Sequence, residues 1–104
     1  MSDPKDRPPF LDGSNRYTLL YPVKYRVGEE EKLLETLQLR RLTLADRLIL
    51  DEPIVYSEKV ARILADMTGE PRVVLLKIDA ADCERIDQIF GHFLQPGTAT
   101  GAIS

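Results

Sequence analysis

LRRLTLADRL, residues 39 to 48, changes its periodicity partway along. Leu37 and Leu39 alternate with Gln38 and Arg40, the two-residue period of a strand with one wet face. From Thr43 the order is a hydroxyl, Leu44, Ala45 and Asp46. That order marks a helix start, with Thr43 as the cap and the Asp46 carboxylate at the third helical position. The ending recurs in KIDAADCERI, residues 77 to 86, where Asp79 takes the cap and Asp82 the third position. The first four amides of a helix have no partner within it, so acceptors at these places need no catalytic explanation.

Upstream, residues 17 to 27 read YTLLYPVKYRV. Val23, Tyr25 and Val27 share one parity, Lys24 and Arg26 the other, which predicts a strand. Pro22 cannot donate to a ladder, so this strand lies at an edge or breaks at that point. Gly28 and the three acids Glu29, Glu30 and Glu31 predict a solvated turn of about five residues, and 33 to 41 the return strand. The spacing downstream predicts three or four short helices. The first, 44 to 50, offers Leu44, Leu48 and Ile49 for burial. The second follows a Ser57 cap, with Val60, Ile63, Leu64 and Met67 on one stripe and Gly69 as its stop. PRVVLLKI, 71 to 78, fits a buried strand or a short helix, and Pro71 favours the helix. The last helix repeats Cys83, Ile86, Phe90, Phe93 and Leu94 at three- and four-residue steps, a main pillar of the core. The expected fold is therefore α+β: an N-terminal antiparallel β-hairpin with three or four short helices packed on its apolar face. The expected divisions are a flexible arm over 1–15, one domain over 16–95 and a disordered tail over 96–104. Phe10 and Leu11 are the two residues of that arm able to dock.

The 104 residues suit one domain, and the net charge of −3 argues against nucleic-acid binding. A helix-turn-helix reading also fails, because 51–56 is a long connection containing Pro53 and the second helix carries cancelling charges. Arg40, Arg41 and Arg47 form a small basic cluster, read as strand-end charge offsetting the acidic caps. The single cysteine cannot form an internal disulfide, the N-terminus has no apolar signal core, and no apolar run approaches the ~20 residues of a membrane span. These features predict a soluble protein of the cytoplasm. No catalytic, cofactor-binding or metal-ligating set is expected. Cys83 and His92, the lone histidine, lie nine residues apart, about 13 Å along a helix and on nearly opposite faces. Cys83 reads as a small buried hydrophobe.

The order of these signals resembles the small tail assembly chaperones of contractile-tailed phages and prophages, the P2-like and Mu-like family. The resemblance rests on Pro22 and Gly28 in the first strand and turn, then Leu37, Leu39, Arg40, Arg41, Thr43 and Asp46. It continues through Met67, Thr68, Gly69 and Pro71 to Ile78, Asp79 and Asp82, covering about 18–94. Leu42 stands where the family often has proline, and Met67 replaces a commoner leucine. The resemblance implies a non-catalytic protein, without cofactors, that binds the tape measure protein and tail tube subunits in the host cytoplasm. Family members often have a second, longer form made by frameshifting. The alternative is a small structural subunit of the tail. A protein of this kind works through its surface. Candidate partner-binding residues are Tyr17, Leu19 and Tyr21 on the edge strand, and Ile89 and Leu94 on the last helix.

Overall fold

The computed structural model describes residues 7–95. Two strands, β1 (Arg16–Val27) and β2 (Glu30–Gln38), are followed by α1 (Leu44–Leu50), α2 (Tyr56–Thr68), α3 (Arg72–Leu75) and α4 (Ala80–Leu94). This is the expected α+β layout, an antiparallel hairpin and then four helices. The first six residues of the expected arm and the expected tail at 96–104 lie outside the described residues.

The hairpin turn is tighter than the spacing suggested. Val27 pairs with Glu30, leaving Gly28 and Glu29 as the turn, so Glu30 and Glu31 are strand residues. Gly28 takes φ 64°, which a side chain would resist and which two-residue hairpins require. The ladder breaks where Pro22 stands. Thr18 opposes Thr36 and Val23 opposes Leu34, so residues 19–22 face Glu35 alone. The offset of three is odd, so the inward parity changes along β2, and Leu37 and Leu34 both turn into the core.

Residues 7–15 are not a loose arm. Leu11 is buried and bridges to Tyr17, and Phe10 meets the Tyr17 ring edge-on at 5.9 Å between centroids. The Arg85 guanidinium covers the other aromatic surface, 4.8 Å from the Phe10 centroid. Asp12 accepts from the amides of Ser14 and Arg16 at 2.9 and 2.8 Å, which pulls its pKa below the ordinary carboxylate value. Asn15 adopts φ 64° and its carbonyl accepts from the Leu39 amide. Two apolar side chains and an Asp-stabilised turn thus fix a segment whose proline content suggested freedom.

The core joins both strands to the helices: Tyr17, Leu19, Val23, Leu34 and Leu37 meet Ile63, Leu64, Val74, Ile86, Ile89, Phe90 and Phe93. At about 1.5–3 kcal/mol per fully buried large apolar side chain, this cluster dominates the stability. α2 begins one residue before Ser57. The Val55 carbonyl accepts from the amides of Glu58 and Lys59, which makes Val55 the cap and places Ser57 inside the first turn, exposed and without a capping bond. Gly69, at φ 74°, closes the helix. The 71–78 run becomes the short α3, with Pro71 at the cap position. Val74, Leu75 and Ile78 point inward, and Val73 and Leu76 point outward. No helix among the described residues is long and apolar enough to cross a membrane.

Candidate partner-binding surface

Asp46 is buried at the start of α1. Its Oδ2 accepts from the Thr43 amide at 2.8 Å, the reach-back arm of a capping box, and from Arg40 at 2.6 Å. Arg40 also donates to Asp66 of α2 at 2.6 Å, so one guanidinium ties the strand exit to two helices. That guanidinium, more than any other group, holds the Asp46 carboxyl below its usual range, and the Thr43 amide adds to the effect. The contact also decides which way α1 faces. Asp46, Ile49 and Leu50 share a face three and four residues apart, and that face turns inward. Leu44 and Leu48 are therefore driven out, 75% and 64% exposed, the reverse of the expected burial.

Asp82 occupies the equivalent third position of α4 and serves a different element. Asp79 alone caps α4, accepting from the Ala81 amide at 2.9 Å. Asp82 is fully buried, and its Oδ1 accepts from the Tyr17 hydroxyl and, at 2.7 Å, from the Leu20 amide. Its Oδ2 accepts from the Tyr21 amide at 3.1 Å. Leu20 and Tyr21 belong to the bulge at Pro22, where β2 supplies no ladder partner. Asp82 replaces that ladder, because a buried amide without an acceptor is costly. It is a clamp between helix and strand, and not the cap its sequence position indicated.

Both carboxylates are thus engaged by donors of the fold itself. No three His, Cys, Asp or Glu side chains among the described residues are placed to hold a metal ion. Cys83 is exposed, contrary to its reading as a buried hydrophobe, because the inward face of α4 passes through Asp82, Ile86, Ile89 and Phe93.

Of the five residues singled out for partner binding, Tyr17, Leu19 and Ile89 lie in the core at 0–4% exposure and cannot present a surface. Tyr21 and Leu94 are more than half exposed. The structure adds two clefts, the second of them mainly apolar. One, about 350 Å3, lies between α1 and the end of α4, where Thr43 and Arg47 join Leu42, Leu44, Leu50, Phe93 and Leu94 in its lining. Arg41 secures its floor by donating to the Phe93 carbonyl at 3.0 Å. The other, about 200 Å3, lies among α2, α3 and the start of α4. Leu44 and Leu76 border these clefts and were missed in the sequence, where each read as core; no local signal distinguishes them.

The two buried carboxylates of this small α+β domain are thus committed internally, and its outer face carries two clefts. Among known families, the model for phage tail assembly chaperone proteins, E, or 41 or 14, matches residues 16–95. The chain belongs to this family of phage tail assembly chaperones. No curated protein and no solved structure matches it.

Proposed function

We propose that this protein binds the tape measure protein, and tail tube subunits with it, in the host cytoplasm during tail assembly, and that it catalyses no reaction. The observation that carries this reading is the family match, which spans every strand and helix of the fold. The surface supports it: Leu44, Leu48, Leu76 and Leu94 are all more than half exposed and provide apolar area for a helical partner. Co-expression with the tape measure protein of the same gene cluster tests it. The expected result is a rise in the soluble fraction of that protein and recovery of a complex. Equal insolubility with and without this chain would overturn the reading. Mass spectrometry of purified particles is expected to lack this chain, whereas a stoichiometric amount would make it a tail subunit.

A further inference from the structure

The cleft among α2, α3 and α4 has an apolar floor, with Val60, Ala61 and Leu64 from α2 and Leu75 and Ile78 from the α3 region. Leu76, 56% exposed, stands at its lip. At about 200 Å3 it is below the roughly 300–1,000 Å3 of small-molecule sites, and it suits one or two aliphatic side chains. Its α4 border is acidic. Asp87 follows Cys83, a lining residue, by one helical turn, and Glu84 is adjacent. Neither Glu84 nor Asp87 is ion-paired among the described residues. Lys77, between the lining residues Leu76 and Ile78, lines a separate cleft with Lys24, Arg26 and Glu31, and four other cations have partners of their own. Arg62 pairs with Glu52 and Glu58, Arg72 with Glu58, Lys59 donates to the Leu50 carbonyl, and Arg85 lies over Phe10. Partial burial first, and then Asp87, Asp82 and Asp79, push the Cys83 thiol above its ordinary value.

We infer that this cleft receives the apolar anchor of a partner's amphipathic helix flanked by Lys or Arg, the anchor resting on Val60, Leu64, Leu75 and Ile78 and the cations on Glu84 and Asp87. The inference rests on the chaperone reading and names the surface that performs it. An apolar anchor supplies affinity, and the acidic border selects helices by charge.

Cys83 provides the readout, since it is the only cysteine of the chain and lines the cleft. The probes are two synthetic cysteine-free amphipathic helices with the same leucine stripe, one flanked by lysines and one by glutamates. The lysine helix is expected to slow modification of Cys83 by an aromatic disulfide reagent saturably, and the glutamate helix to leave it unchanged. Leu76→Glu, and separately the double reversal Glu84→Lys/Asp87→Lys, are each expected to weaken the lysine helix about tenfold at low salt. Leu76 is solvent-facing, and circular dichroism verifies that both variants are folded. Val27→Asp, at the exposed end of the hairpin, is expected to bind as the parent does. Absence of protection, equal protection by both helices, undiminished binding by both cleft variants, or loss of binding in Val27→Asp alone would overturn the assignment. The same variants in the co-expression assay separate the two proposals. If the parent chain fails to solubilise the tape measure protein, the chaperone reading falls. If the parent and both variants solubilise it equally, the cleft assignment alone falls.

Discussion

Asp46 and Asp82 stand at the same position of their helices, are equally buried, and do different work. Asp46 keeps to its own neighbourhood, binding the Thr43 amide and the side chain of Arg40 six residues back. Asp82 turns away from its helix to a strand 62 residues earlier, where Leu20 and Tyr21 have amides to be satisfied. A buried carboxylate goes to the nearest donors that have no other acceptor. At α1 those belong to the helix start and an arginine; at α4 they are made by a proline-induced bulge, while Asp79 already serves the cap. Position within a helix therefore fixes where a side chain begins and leaves open whom it serves.

The largest break in this comparison is expected from Asp82→Ala. It orphans one hydroxyl and two amides, each worth about 1–3 kcal/mol when buried, for a total near 4 kcal/mol. Against the ~5–15 kcal/mol typical of a whole domain, that loss should leave a visible unfolded population in urea titrations at room temperature. Asp46→Ala is expected to cost about 2 kcal/mol by the same titration. It removes a cap worth about 1 kcal/mol and half of a pair with a partly exposed Arg40, which solvent discounts. Tyr17→Phe keeps the ring in the core and loses only its bond to Asp82, for about 1 kcal/mol.

The pH dependence separates the two regions further. The folded-state pKa of Asp46 is depressed below 3.8, so its contribution is complete above that value and disappears as pH falls through the lowered one. Acid titration should therefore bring parent and Asp46→Ala together at low pH. Tyr17 behaves oppositely. Burial, with Asp82 next, holds its phenol above the ordinary 10.0, so its contribution is complete below pH 10 and is lost as pH rises past it. Parent stability should fall more steeply than that of Tyr17→Phe in alkali. The smallest effect is expected from Ser57→Ala, under about 0.5 kcal/mol in thermal melts, because the hydroxyl caps nothing.

The hairpin, the helical segments and most of the core could be read from periodicity, because alternation and three-to-four spacing report burial directly. The signals at Thr43, Pro22 and Gly69 were legible for the same reason, since backbone chemistry acts locally. Partner choice was not legible. The inward turn of α1 depends on Arg40 reaching Asp46 and Asp66, and nothing near Leu44 or Leu48 announces that they will be expelled. Ser57 misled because a hydroxyl before a helical stripe resembles a cap whichever residue starts the turn. Of the surface candidates, Tyr17, Leu19 and Ile89 were apolar side chains that the fold needed inside. The cleft beside Cys83 is assembled from three helices, and no window of sequence contains it.

The reach of Asp82 also bears on when the fold can be completed during synthesis. The hairpin leaves the ribosome first, yet the acceptor for its bulge is translated 62 residues after Leu20. Until that residue emerges, the amides at 20 and 21 lack the acceptor they have in the folded domain. The domain consequently closes late in translation, with the last helix completing the structure of the first strand.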